Sequence, residues 1–187
     1  MKSVYITAGH QILKGKGTGA SSPSGDEAIE ARNLVQSLIV NLKEKGVVAY
    51  TDNDSWDLRG TIQWLLGKLK DADLSIDIHF NASDNIDAHG CEVIIPNIYT
   101  MEEKSLAEVF TNGIASTIRV KNRGVKTEAL TAHKTLGILR QPKIATNILL
   151  EICFITNEED MKNYRLHYNQ LVDNLVTTIL QYLTRNK

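Results

Sequence analysis

The chain has 187 residues, 42% of them hydrophobic and 23% charged, with a formal net charge of −1. That length allows one domain with a sizeable core, and the near-neutral charge removes any global pull toward nucleic acid or an anionic membrane. No apolar run approaches the roughly 20 residues of a membrane span, and the N-terminus lacks the apolar core and cleavage site of a secretory signal, so the chain is expected to remain cytoplasmic or to leave by a route other than its own signal.

Lys2–Ala8 reads as a first strand, followed by a polar Gly-, Ser- and Lys-rich loop over Gln11–Gly25 that can face a ligand. A helix is expected from about Asp26, capped by Ser24 or Asp26, with Leu34, Val35, Leu38, Ile39 and Leu42 as its apolar stripe and Gly46 as its stop. Val47–Thr51 reads as a second strand, Asp52–Ser55 as a turn, and Leu58–Leu69 as a second helix with Ile62, Leu65, Leu66 and Leu69 on one side. Trp56 and Trp64 are expected to be packing residues rather than sugar platforms.

Leu74–Phe80 alternates strictly, with Leu74, Ile76, Ile78 and Phe80 against Ser75, Asp77, His79 and Asn81, so a strand would carry the two sets on opposite faces. Cys91–Ile95 is a fourth strand, stopped by Pro96, and Met101–Ile118 a third helix with Leu106, Val109, Phe110, Ile114 and Ile118 inward. The polar stretch 121–137 shows no clear period. Ile138–Leu139 reads as a short strand, and Pro142 as a break. Ile148–Ile155 is an almost unbroken apolar run, as in a central strand buried on both faces. A last helical region is capped near Asn157–Asp160 and ends in Leu171–Leu183, where Leu171, Leu175, Ile179 and Leu183 share a face. Cys91 and Cys153 each lie in an apolar run and read as buried free thiols. Alternating strands and helices imply an α/β layered sheet.

Three residues stand out chemically. His10 follows the first strand, His79 ends another, and both lie where an α/β sheet usually opens its site. Glu151 interrupts a buried strand, which is costly unless the carboxylate is paired, metal-bound or protonated. Two histidines and one acid would leave a fourth zinc position open for water, and a separate carboxylate could move the proton. The plainer alternatives are a surface His10, a hydrogen-bonded core His79, and a Glu151 paired with Arg140 or Lys143. His89, His133 and His167 read as loop or helix-surface residues, although His133 could face a substrate.

Several segments carry a resemblance, in order: ITAGH (6–10), TGA (18–20), IHFNAS (78–83), GCEVIIP (90–96), NRGVK (122–126) and LLEICFITNEED (149–160). Together they resemble the zinc-dependent N-acetylmuramoyl-L-alanine amidases of bacterial cell walls and phage endolysins, over nearly the whole chain. The resemblance implies a single catalytic domain over residues 1–187, built as an α/β fold on a mixed, mostly parallel twisted sheet with helices on both faces. It implies Zn2+ held by His10, His79 and a glutamate opening the first helix. Glu27 is preferred and Glu30 is the alternative, one turn away, so that only one should face the metal. Glu151 matches the catalytic glutamate. The partner implied is peptidoglycan, cut between N-acetylmuramic acid and L-alanine, with no nucleic acid and no membrane insertion. Such a chain would be cytoplasmic until released to the wall, or a fragment of a secreted enzyme. Lys14, Lys16, Arg123 and Lys126 are candidates for stem-peptide carboxylates. Two residues depart from the family pattern: Asp77, where many relatives have serine, and Cys153, where a glycine is usual. The other readings are a wall-binding module without turnover and a zinc amidohydrolase with another substrate.

Overall fold

The computed structural model describes residues 3–13, 15–53, 55–68, 72–141 and 144–185. Strand β1 (Ser3–Ala8) leads into two short antiparallel ribbons, β2 (Ile12–Leu13) with β3 (Lys16–Gly17) and β4 (Ser21–Ser22) with β5 (Gly25–Asp26). Helix α1 (Glu27–Glu44), strand β6 (Val48–Tyr50), helix α2 (Leu58–Lys68) and strands β7 (Ala72–Asn81) and β8 (Cys91–Ile95) follow. Then come α3 (Met101–Ile118), β9 (Asn122–Thr127), 3-10 turns at Glu128–Leu130 and Gly137–Leu139, β10 (Ile144–Phe154), α4 (Glu158–Leu166) and α5 (Tyr168–Arg185).

Six strands form one sheet in the order β6-β1-β7-β10-β8-β9. All pairs are parallel except β10 with β8, so the sheet is mixed and mostly parallel, as expected. The alternation in β7 has the expected effect. Leu74, Ile76, Ile78 and Phe80 enter the large core with Val4, Ile6, Ile148, Leu150 and Ile152, under α1, α3, α4 and α5. The opposite face carries a smaller apolar cluster of Tyr5, Leu65, Ile94, Ile138, Leu139, Ile144 and Leu149 beneath α2 and the Gly137–Leu139 turn. Helices therefore cover both faces unequally. The thinly covered face, toward the C-terminal ends of β1, β7 and β10, is left open for Asp77, His79 and Glu151.

Local chemistry sets the helix starts. Asp26 caps α1 by accepting the Ile29 N–H at 3.4 Å, and Glu27 and Glu30 lie in its first turn, where the helix dipole favours acids. Thr100 and Glu103 form a reciprocal capping box at α3. Both cysteines are buried free thiols.

Several elements differ from the sequence reading. Val109 and Leu66 are exposed, 39% and 46%, because each lies at the edge of its apolar stripe, away from the sheet. Ile138 and Leu139 are buried but form a 3-10 turn rather than a strand. The stretch without a clear period contains β9, an edge strand whose polar side chains hide a pairing made by the backbone. The Gly-rich loop folds into the two ribbons. Lys2, Lys14, Asp54, Leu69, Pro142 and Lys143, each used in the sequence reading, lie outside the described residues.

Candidate metal centre and active site

His10 lies just past β1, Glu27 is the first residue of α1, and His79 lies near the end of β7, so three distant segments converge. One ligand atom from each residue lies within 4.8 Å of the other two. His10 Nε2 is 3.2 Å from Glu27 Oε2, and His79 Nδ1 is 3.0 Å from Glu27 Oε1. Tetrahedral zinc bonds of about 2.0–2.2 Å place ligand atoms about 3.3–3.6 Å apart, so a slight opening of these contacts would admit such an ion, and three protein ligands leave one position free.

The backbone is shaped to bring these groups together. His10 adopts the left-handed conformation, φ 65°, which a non-glycine residue seldom takes without support. Gly9 and Gly19 make room: a Cβ at Gly9 would overlap the His79 ring, and one at Gly19 (φ 90°) would overlap the His10 ring and the Glu27 carboxylate. Glu27 is 4% exposed and is fixed by the Ala20 N–H at 3.0 Å and the Phe80 N–H at 3.2 Å. Burial opposes its charge, but His10, His79 and the Ala20 N–H outweigh burial and hold its carboxyl far below the usual range.

The second nitrogen of His79 has its own partner. Nε2 lies 3.0 Å from Asp77 Oδ2, and Asp77 Oδ1 accepts the Thr7 hydroxyl at 2.7 Å. A proton on Nε2 leaves Nδ1 as the lone pair facing Glu27 and His10. Burial alone would lower the His79 pKa, yet the carboxylates of Asp77, Glu27 and Glu151 hold it well above the usual value. The surroundings therefore favour positive charge at this point, whether a proton or a metal ion supplies it.

Glu151 projects from β10 on the same face, opposite His79 on one side and Glu92 on the other. It lines a cleft of about 510 Å³ together with His10, Glu27, Asp77, His79 and Trp56. Its Oε2 is shielded from solvent and has no hydrogen-bond partner among the described residues. Burial pushes its pKa up to about 7, against the pull of His79 and with further help from the carboxylates of Glu27, Glu92 and Asp77. A carboxyl titrating near neutrality can both accept and return a proton.

The structure thus brings together His10, Glu27, His79 and Glu151. It separates the two glutamate candidates, since Glu30 turns away to bind Arg165 at 2.8 Å. Arg140 pairs with Glu128 rather than with Glu151. His133 lines the cleft, whereas His89 caps an exposed turn through the Asp87 carbonyl. Trp64 packs edge-on against Tyr5, as expected of a packing residue, but Trp56 is 38% exposed and borders the cleft. The Thr7–Asp77–His79 chain and the Glu92 ion-pair cluster are absent from the sequence reading. The first had a usable signal, since Asp77 and His79 are two apart on one strand and must share a face.

The N-acetylmuramoyl-L-alanine amidase family model matches residues 4–181. An uncharacterised 38.4 kDa protein of Clostridium perfringens is 29% identical over 182 residues, 92% of this chain and 49% of that protein. The catalytic domain of the CD27L endolysin targeting Clostridia difficile superposes with a TM-score of 0.78 at 25% identity, covering 97% of this chain and 98% of that one. The amidase AmiC2 of Nostoc punctiforme gives a TM-score of 0.78 at 28% identity, with 97% of each chain covered. The chain spans half or less of the curated relatives it matches, 49% of one and 17% of the other.

Proposed function

The chain belongs to the N-acetylmuramoyl-L-alanine amidase family, and from that premise we propose that it is a zinc-dependent hydrolase of peptidoglycan. The bond it cuts is the amide between the lactyl group of N-acetylmuramic acid and the L-alanine of the peptide stem. The observation that carries this reading is the convergence of His10, Glu27 and His79 beside a Glu151 oxygen that is shielded and unpartnered in the same cleft.

His10 Nε2, a carboxylate oxygen of Glu27 and His79 Nδ1 would hold the metal. A zinc ion bound there supplies a Lewis acid that polarises the scissile carbonyl and acidifies a water at neutral pH. Glu151 Oε2 accepts the proton of the attacking water as its oxygen bonds to the carbonyl carbon. When the carbon–nitrogen bond breaks, the same oxygen delivers that proton to the alanine nitrogen, which leaves as a free amine. Asp77 keeps the His79 ring turned with Nδ1 inward. Trp56 and His133 border the cleft with these groups.

Purified peptidoglycan tests this directly, with the chain as isolated, after chelator, after zinc is restored, and with Glu151→Gln. New L-alanine amino ends, with the glycan uncut, are expected only when both zinc and Glu151 are present. The Glu151→Gln protein should bind zinc normally and lose about 10²- to 10⁴-fold in rate. Wall binding without amino-end release, under every condition, would overturn the hydrolase in favour of a binding module.

We also infer a role as a phage or prophage lysin, supported by the likeness to the endolysin domain. Expression in a host together with a membrane-permeabilising protein should lyse the cells, and the Glu151→Gln form should not.

A further inference from the structure

Past Glu151 the cleft opens into a second, more polar lobe of about 610 Å³, bordered by Asn81, Glu92, Arg123, Lys126, His133 and Phe154. Glu92 on β8 is 6% exposed, and its Oε2 accepts from Arg123 Nε at 2.6 Å and from Lys126 Nζ at 2.5 Å. Its Oε1 accepts from Asn81 Nδ2 at 3.0 Å. The Arg123 guanidinium lies 4.9 Å over the Phe154 ring and donates through Nη1 to the His89 carbonyl at 3.4 Å.

Two cationic side chains meet on one buried carboxylate here. Burial opposes ionisation of Glu92, but Lys126 and Arg123 overcome it and hold its carboxyl below the usual range, so Glu92 is an anion at neutral pH. Lys126 and Arg123 thus share that single anion, and each has donors to spare. Besides Glu92 and Glu151, the acid on this wall is Asp87, exposed at the rim where solvent screens it. Donors remain as well. Arg123 Nη2 and two of the three Lys126 ammonium protons have no partner among the described residues. Both cationic side chains are partly open to the cleft, 28% and 29% exposed. The Arg123 plane is already held by Glu92, Phe154 and His89, so it loses little freedom on meeting an anion.

We propose that Arg123 and Lys126 form a carboxylate subsite for the peptide side of the substrate. This rests on the amidase reading above and deepens it. Glu151 and Glu92 face each other across one strand spacing of about 5 Å. The cationic heads, bonded to Glu92, therefore stand about two residue lengths of extended peptide from the proton-carrying carboxyl. The group they meet is a free carboxylate on the residue that follows the released alanine. A stem amidated at that position loses the charge-assisted bonds and places an NH₂ donor against two donors.

The test uses two soluble N-acetylmuramoyl peptides that differ only in that group, free acid against carboxamide. Turnover is measured with the zinc-loaded chain, and equilibrium binding with Glu151→Gln. The free acid is expected to bind and react with a KM about 10- to 100-fold lower than the carboxamide. Lys126→Met leaves Glu92 paired with Arg123, and it should bring the ratio toward one, with Lys126→Arg restoring much of it. Equal KM and equal affinity for the two peptides in the unsubstituted chain would overturn the subsite while leaving the hydrolase intact. Tighter binding of the acid without turnover of either peptide would uphold the subsite and remove the amidase reading. A Lys126→Met protein that keeps the full ratio would also overturn it.

Discussion

Asp77 decides which nitrogen of His79 faces the cation site. Its Oδ2 lies 3.0 Å from Nε2, and the Thr7 hydroxyl, 2.7 Å from Oδ1, fixes the carboxylate in turn. A carboxylate behind a ligating imidazole raises its basicity and sets its tautomer, and loss of such a partner commonly weakens metal binding by 10- to 100-fold. Asp77→Asn should therefore lower zinc affinity by about 10- to 100-fold with little change in the fold, as read by competition with a chromogenic chelator. Unchanged affinity would show that ring packing alone orients His79. The glycines act at the same scale. Gly19→Ala places a Cβ against both the His10 ring and Glu27, and a displacement of about 1 Å can cost about 10²-fold in rate. Loss of that size with an intact circular-dichroism spectrum is the expected outcome. In the sequence, His10 and His79 are marked by their places at strand ends, and Glu151 by the cost of a carboxylate in a buried strand. Glu27 and Glu30 are told apart by contacts from distant elements, since the Phe80 amide on β7 binds one and Arg165 on α4 binds the other.

The segment from Glu128 to Gln141, which carries Thr131, His133 and Leu136 to the cleft wall, is organised around one carboxylate. Glu128 is 1% exposed and accepts from the Asn97 amide at 3.2 Å, the Leu136 amide at 2.5 Å and Arg140 Nη2 at 3.0 Å. Burial opposes its charge, but those donors hold its pKa below the ordinary carboxylate value. The sign follows by linkage. Its contribution is fully present above the unfolded value of about 4.3 and fades as pH falls through the lower folded value. On acidification, the Asn97 and Leu136 amides should lose protection from hydrogen exchange before those of Ile76 and Leu150 in the central strands. Glu128→Gln should reproduce that opening at neutral pH, at a cost of about 1–3 kcal/mol for the disturbed amides. Simultaneous loss of protection throughout the sheet would refute this. The segment was the least legible part of the sequence, and the reason is physical. Its order comes from one buried acid serving amides 31 and 8 residues away, and neither helical nor strand periodicity records such a centre. β9 was hidden likewise, its partner chosen by backbone pairing with β8. The long central strands and α3 were readable to within a few residues because their apolar faces meet a continuous core.

At the scale of the molecule, the alternation of strands and helices was enough to indicate a layered α/β sheet, but not the order of its strands. That order depends on long-range pairings, including the antiparallel entry of β8 between β10 and β9, which no local pattern specifies. The pairing places the ends of β1 and β7 side by side, and α1 packs across both with its first residue at their tips. A metal at His10, Glu27 and His79 would consequently tie together three segments that share one core. It would also relieve the mutual repulsion of Glu27, Asp77 and Glu151. Zinc should stabilise the whole fold rather than the cleft alone. A ligand at 100 times its dissociation constant adds about 2.7 kcal/mol, which for a chain of this size corresponds to a rise in melting temperature of roughly 5–11 °C. Calorimetry of the metal-stripped chain with and without zinc should show that shift as a single transition. His79→Ala should abolish it, and Glu30→Gln should retain it, since Glu30 is paired with Arg165. A shift that survives His79→Ala would place the zinc elsewhere, and a shift lost in Glu30→Gln would reverse the choice between the two glutamates.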